Sequence, residues 1–132
     1  MTKKYLEQYT DLQKEIKGLE KRIEKLERQS HIVSDVVQNG YKRHAVITGV
    51  DYKRQGKINR LKKLMEQRKE EALNMQIKIE EFIGSIDDSR IRQIFEYRYY
   101  EGLKWFQIAS MMKYKGESAP RMIHDRYLEK IL

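Results

Sequence analysis

The sequence predicts an all-α fold, in which a long antiparallel helical pair or coiled coil is followed by a three-helix domain. Three observations lead to this prediction. Two segments carry apolar residues at alternating spacings of three and four, which is the heptad pattern of paired helices. Gly84 interrupts the second segment, and short helical patterns separated by a tight turn follow it. The stretch between the two heptad segments leaves room for a small β-hairpin insert.

Composition bounds the class of protein before any motif is considered. The 132 residues are 39% hydrophobic and 36% charged, with a mean hydropathy of −0.85, no cysteine and a net charge of +8. No apolar stretch has the length of a membrane span or a signal sequence, so we expect a soluble cytoplasmic protein without a membrane partner. The lack of cysteine excludes disulfides and thiolate metal sites. A pI near 9.6 makes nucleic acid the first candidate partner, because phosphate neutralisation dominates such binding.

The two heptad seams predict two long helices. The apolar positions of the first seam are Tyr5, Tyr9, Leu12, Ile16, Leu19, Ile23 and Leu26. The second seam occupies Ile58, Leu61, Met65, Arg68, Ala72, Met75, Ile79 and Phe82, with Arg68 and Ala72 as its weakest positions. A stripe this narrow buries too little on a single helix, so each helix needs a partner. The pattern fits both a hairpin within one chain and a seam between two chains, acting as a spacer or an oligomerisation arm.

The segment 31–56 between the seams predicts a β-hairpin or an ordered loop at the tip of the helical pair. β-Branched residues precede the turn-forming pair Asn39-Gly40, and residues 45–48 offer a returning strand. Residues 41–63 contain eight basic side chains and a single acidic one. A solvated loop is the plain interpretation of this basic cluster, and a phosphate-contacting arm is the functional one. The phosphate-contact candidates in it are Lys42, Arg43, Lys53, Arg54, Lys57 and Arg60.

Gly84 is the predicted end of the second long helix and the predicted domain boundary. Residues 1–84 are expected to form the helical arm, and residues 85–132 a separate domain. A capping pattern at 85–88 precedes the first helix of that domain.

The second domain has the length signature of a helix-turn-helix. A helix that ends at Glu101-Gly102 is followed by LKWFQIASMM, the turn KYKGE and SAPRMIHDRYLEKIL. Lys113 and Lys104 stand where a turn glycine and a Ser or Thr cap are common, and Ala109 is expected where the two helices cross. The side chains expected in the core are Ile108, Met112, Tyr114, Ala119, Met122 and the aromatic residues Tyr97, Tyr99, Tyr100, Trp105 and Phe106. The alternative for the aromatic residues is a base-stacking surface.

This domain resembles region four of the sigma-seventy family, a module that contacts a promoter element. The resemblance rests on IFEYRYYEGLKWFQIASMM followed by SAPRMIHDRYLEKIL. The whole chain is similar to phage-encoded ArpU- and RinA-type transcription regulators, which join a charged helical part to a sigma-like module. The stretch SDVVQNG…HAVITGVD is similar to their inter-helix segment. The resemblance is strongest over 90–131 and implies control of late, packaging or lysis genes in a phage or prophage of a Gram-positive host.

The predicted DNA contacts lie on and around the last helix. The base-contacting candidates are Lys115, Ser118, Arg121, His124 and Asp125, with Lys113 and Arg126 as phosphate candidates. Arg121 leads this set because a guanidinium can fork onto the O6 and N7 atoms of guanine. For each of them the plain alternative is a solvated surface side chain.

The leading functional hypothesis is a sequence-specific DNA-binding transcription regulator. Its expected partners are double-stranded DNA, host RNA polymerase and further copies of itself, with a dimer favoured. One alternative is a phage small terminase-type DNA-packaging protein, which would form a large ring. Another is a protein-interaction module that binds RNA polymerase without touching DNA. No enzyme and no cofactor are predicted, because His31, His44 and His124 have no metal-site spacing and the glycines form no phosphate-binding loop.

Overall fold

In the computed structural model, the described backbone covers residues 1–39 and 44–132, and the described side chains cover 1–29 and 52–132. Five α-helices make up this part of the chain. They are α1 (Lys3–Asn39), α2 (His44–Gly84), α3 (Ser89–Tyr99), α4 (Trp105–Met111) and α5 (Ser118–Ile131). The described backbone contains no strand, so the all-α prediction is confirmed. Over the residues described, none of these helices combines the length and the apolarity needed to cross a membrane.

The prediction of a β-hairpin within residues 31–56 is wrong. α1 continues to Asn39 and α2 begins at His44, so both expected strands are helical. β-Propensity is a weak preference, whereas a residue added to an existing helix gains one hydrogen bond for each residue that it fixes. Two long helices can therefore extend through β-branched residues. Positions 40–43, which include the candidates Lys42 and Arg43, lie outside the described residues.

The chain forms two compact units. We call Leu12–Ala72 the arm unit, and we call Met1–Asp11 together with Leu73–Leu132 the terminal unit. The boundary predicted at Gly84 coincides with the end of α2, but the terminal unit also includes the start of α1 and the last turns of α2. Because the heptad seams run through both units without a break, the sequence pattern alone does not reveal this division.

The arm unit is an antiparallel helical pair whose core is the predicted seam. Leu19 and Ile23 of α1 form a buried cluster with Ile58 and Leu61 of α2, so the seam closes within the chain. Ion pairs join the two helices at Lys62–Glu27 (2.8 Å), Arg68–Glu15 (3.0 Å) and Lys69–Glu20 (3.6 Å). These side chains are between 37% and 51% exposed, so each pair stabilises the unit little. The apolar seam is therefore the main source of its stability.

The terminal unit packs α3, α4 and α5 together with short stretches of α1 and α2. Phe95 of α3 is fully buried at its centre. The Phe82 ring meets it edge-on with 5.6 Å between centroids, and the His124 ring stacks on it at 4.6 Å. The other fully buried side chains of this core include Leu6, Ile79, Ile83, Ile86, Ile94, Ile108 and Leu128. This core gives the last two helices a fixed support.

Candidate nucleic-acid interface

α4 and α5 form the predicted helix-turn-helix, and α3 packs against both. Ile94 of α3 is buried together with Ile108 of α4 and with Met112, which follows α4. Ala109 is also buried, as expected for a residue at a helix crossing. Partly buried side chains close this cluster at Tyr97, Leu103, Trp105, Tyr114 and Ile123. The buried side of α4 is thereby defined by Ile108 and Ala109.

A capped start and a clamped end fix the position of α3. The Asp88 carboxylate Oδ1 accepts hydrogen bonds from the backbone N–H groups of Arg90 (2.9 Å) and Ile91 (3.0 Å), which confirms the capping pattern predicted before this helix. At the other end, Arg98 Nη1 donates to the Leu103 carbonyl at 2.9 Å, and the guanidinium lies 4.5 Å from the centre of the Trp105 ring. Arg98 therefore holds the connection into α4 and the first residue of that helix.

The turn between α4 and α5 depends on a lysine in a left-handed conformation. Lys113 has a φ of 61°, which explains why glycine is common at this position of such turns. Arg90 secures the turn from α3, because its Nη2 donates to the Met112 carbonyl and its Nε donates to the Tyr114 hydroxyl, both at 2.8 Å. The Arg90 guanidinium also lies 4.7 Å from the centre of the Tyr114 ring. Sequence reasoning missed Arg90 and Arg98, since an arginine on a helix carries no pattern that marks it as a clamp.

The start of α4 lacks half of a capping box. Lys104 is the N-cap residue and its side chain has no acceptor atom, whereas the Gln107 side-chain oxygen accepts a hydrogen bond from the Lys104 N–H at 2.9 Å. We expect Lys104→Ser to raise the free energy of unfolding by about 1 kcal/mol, because the hydroxyl can accept a bond from an unpaired N–H of the first turn. Chemical denaturation followed by Trp105 fluorescence measures this change. Lys104→Ala is the matched control, and equal stability of the two variants would contradict the expectation.

Several of the predicted DNA contacts lie on an open surface at the start of α5. Lys115, Ser118 and Arg121 are exposed there, and the phosphate candidates Lys113 and Arg126 are exposed as well. A pocket of about 220 Å³ opens beside them. Its lining residues are Trp105, Phe106, Glu117, Ser118 and Arg121. The structure thus brings the leading base-contacting candidate together with two aromatic residues of α4.

The prediction that His124 faces outward is wrong. His124 is 2% exposed and lies within the core, and its ring nitrogens contact the Tyr99 hydroxyl at 2.6 Å and Asp125 Oδ1 at 2.9 Å. Asp125 is half-buried, and its other oxygen accepts a hydrogen bond from Lys3 Nζ at 3.1 Å. Both side chains of the predicted pair are therefore engaged within the protein. The buried stripe of α5 runs through Pro120, His124 and Leu128 at a spacing of four.

Four side chains form a hydrogen-bonded chain that runs from the buried His124 to the exposed Lys3. We call it the histidine cluster, and its members are Tyr99, His124, Asp125 and Lys3. Burial lowers the pKa of His124 below its ordinary value of 6.5, although Asp125 acts in the opposite direction. Burial also raises the pKa of Tyr99. For Asp125, burial alone would raise the pKa, but the hydrogen bonds from His124 and Lys3 lower it. A carboxylate can only accept, so His124 carries its hydrogen on Nδ1 and its Nε2 accepts from Tyr99.

Three side chains predicted to be core are exposed instead. Phe106 is 54% exposed, Tyr100 48% and Met122 45%. Phe106 is two residues from Ile108, a spacing that places it on the opposite side of α4, and Met122 lies off the buried stripe of α5. Tyr97, Tyr99 and Trp105 are partly buried, as the core prediction requires.

The described part of the basic cluster lies on α2 in the arm unit. Lys53, Lys57 and Arg60 are exposed, and Arg54 is half-buried. Lys53, Lys57 and Arg60 are therefore accessible to a polyanion. Among the described residues, no group of three or more His, Cys, Asp or Glu side chains is placed to hold a metal ion.

No family model, curated protein or solved structure matches the chain.

Proposed function

We propose that the protein is a sequence-specific DNA-binding transcription regulator whose α5 contacts bases in the major groove. The observation that carries this proposal is the exposed set of Lys115, Ser118 and Arg121 at the start of α5, on a helix-turn-helix with a buried core. A helix-turn-helix contacts bases with the N-terminal residues of its second helix. An arginine there can form two hydrogen bonds to guanine, and a serine can bond to any base edge.

Exposed positive charges in each of the two units support the second part of the proposal, which concerns the DNA backbone. Lys113 and Arg126 are exposed near the base-contacting candidates. Lys53, Lys57 and Arg60 of the arm unit would add contacts that do not depend on sequence, and the net charge of +8 favours a polyanion. The sigma-like resemblance supports a role at phage or prophage promoters for late, packaging or lysis genes. We propose a cytoplasmic location in the bacterial host and a dimer as the active form.

The test separates base contacts from phosphate contacts. We expect Arg121→Ala to weaken binding to a duplex selected by the wild-type protein by about 1–3 kcal/mol. Binding to a scrambled duplex should weaken much less. The reason is that only the selected duplex presents the guanine edge in the correct register. Fluorescence anisotropy titrations of both duplexes at two salt concentrations measure these differences.

Two further variants serve as controls in the same titrations. Arg22→Ala removes one exposed charge from α1 in the arm unit, outside the basic cluster, and should change the affinities for both duplexes equally and only slightly. The double variant Lys53→Ala with Lys57→Ala should weaken binding to both duplexes equally. It should also reduce the salt dependence of the affinity by about one counterion per lost phosphate contact. If Arg121→Ala also weakens both duplexes equally, α5 does not contact bases. A large ring seen by light scattering would favour a DNA-packaging protein instead.

A further inference from the structure

Phe106 occupies an unusual place for a large apolar side chain. Its ring is 54% exposed, on the side of α4 opposite the buried Ile108, so packing within the chain does not require an aromatic residue there. The ring borders the pocket that Ser118 and Arg121 of α5 also line. An exposed apolar ring thus lies beside the side chains that the proposed function assigns to base contacts.

One wall of this pocket, the Trp105 ring, is held in place by contacts within the terminal unit. Trp105, which lies next to Phe106, has the Arg98 guanidinium at 4.5 Å from its ring centre and the His124 ring edge-on at 5.0 Å. Arg98 is itself held by its hydrogen bond to the Leu103 carbonyl. A wall held in this way favours a group of defined shape, since little order has to be created on binding.

The chemistry of the pocket distinguishes a base edge from the sugar-phosphate backbone. Glu117 also lines it, and a carboxylate disfavours a phosphate through like-charge repulsion. In the major groove the 5-methyl group of thymine is the apolar feature, and phenylalanine is among the side chains suited to contact it. Guanine presents two acceptors in the same groove, which suit Arg121. The pocket therefore offers one apolar and one guanidinium partner side by side.

We propose that this pocket receives the 5-methyl group of a thymine against the Phe106 ring, next to the guanine that Arg121 contacts. This inference rests on the proposed function, because it assigns a second base to the same surface. Phe106 is then a specificity-determining residue, and the selected sites contain a thymine at a fixed distance from the guanine.

The experiment removes single methyl groups from the DNA. A duplex is first selected from a random pool by the wild-type protein, and each thymine in it is then replaced in turn by deoxyuridine, which lacks only the 5-methyl group. At one position the wild-type protein should bind about fourfold more weakly, as expected for one methyl group returned to water. Phe106→Ala should bind the thymine and the deoxyuridine duplexes equally at that position. Met111→Ala is the matched control, since Met111 is another exposed apolar residue of α4 and does not line the pocket, so its variant should keep the fourfold preference.

The outcomes separate this inference from the function on which it rests. If no thymine replacement changes the affinity of the wild-type protein, the pocket does not receive a methyl group. The same conclusion follows if Phe106→Ala still prefers the thymine duplex to the deoxyuridine duplex. The proposed function survives that result as long as Arg121→Ala still weakens binding to the selected duplex alone. If the selection yields no preferred sequence and Arg121→Ala has no selective effect, the proposed function fails, and the thymine contact is overturned with it.

Discussion

Replacing Ile16 and Leu19 together with glutamate is expected to abolish the folded structure of the arm unit, with a loss of more than about 5 kcal/mol in the free energy of unfolding. Both side chains are buried, at 6% and 4% exposure. Each replacement removes about 1.5–3 kcal/mol of apolar burial and also places a charge in the seam between α1 and α2. This loss is comparable with the whole stability of a small protein, about 5–15 kcal/mol, so we expect the pairing to be lost. Circular dichroism at increasing temperature measures the loss of helix.

The chain offers a closely matched control for this variant. Leu73 and Ile77 of α2 are 55% and 48% exposed, so Leu73→Glu with Ile77→Glu makes the same chemical changes outside the core. That control should change the free energy of unfolding by less than about 1 kcal/mol. A seam variant that melts like its control would show that α1 and α2 do not pair through this face. Light scattering of the control also tests whether the exposed pair mediates self-association.

The seam that these variants test is the part of the fold that the sequence predicts best. An alternating spacing of three and four places Ile16, Leu19 and Ile23 on one side of a helix whatever surrounds them, and all three are buried. The extent of the helices is harder to predict, because the β-branched residues near Asn39 follow the helix that precedes them rather than their own preference. The division into two units depends on contacts between distant segments, which no local pattern encodes.

The candidate site shows the same limit at the level of single side chains. Arg121 and Ser118 are exposed as predicted, because the start of a second helix of this motif is open in any register. His124 is predicted to face outward with them because it lies in the N-terminal half of the last helix, but the buried stripe of α5 passes through it. Tyr99, whose hydroxyl bonds to its ring, comes from α3, and Lys3, which bonds to Asp125, comes from α1, at positions that spacing within α5 cannot indicate. For Phe106 the error is the opposite one. Its apolar character predicts burial, but the ring lies on the exposed side of the short helix α4.

The burial of His124 has a consequence for stability that can be measured. Its ring lies between Phe95 at 4.6 Å and Trp105 at 5.0 Å, and burial lowers its pKa below 6.5. Well above pH 6.5 the histidine is neutral in both the folded and the unfolded chain, so its full contribution to stability is present. As the pH falls below 6.5 the unfolded chain takes up the proton first, and the free energy of unfolding decreases until the lowered pKa is passed. The terminal unit should therefore lose stability on mild acidification.

His124→Phe separates this titration from the packing of the ring. We expect the variant to be less stable than the wild type by about 1–3 kcal/mol at neutral pH, because the Tyr99 hydroxyl loses its acceptor. Between about pH 8 and pH 5 the difference should shrink, since only the wild type loses the contribution of a neutral His124. Trp105 is the only tryptophan and touches the ring, so denaturant titrations followed by its fluorescence report on this unit.

Adding Tyr99→Phe to His124→Phe identifies the origin of the loss at neutral pH. The double variant removes the hydroxyl that the single variant leaves without an acceptor, so it should recover part of the lost stability. In the wild type the pKa of Asp125 is lowered, so its contribution to stability is lost only as the pH falls below the ordinary value of 3.8. Both variants retain Lys3, the second hydrogen-bond donor to this carboxylate. The remaining charged neighbours of the cluster, Arg98 and Glu7, are unchanged in every comparison. If the wild-type and His124→Phe stabilities stay parallel throughout this pH range, burial does not hold His124 neutral and the assigned hydrogen-bonding order is wrong.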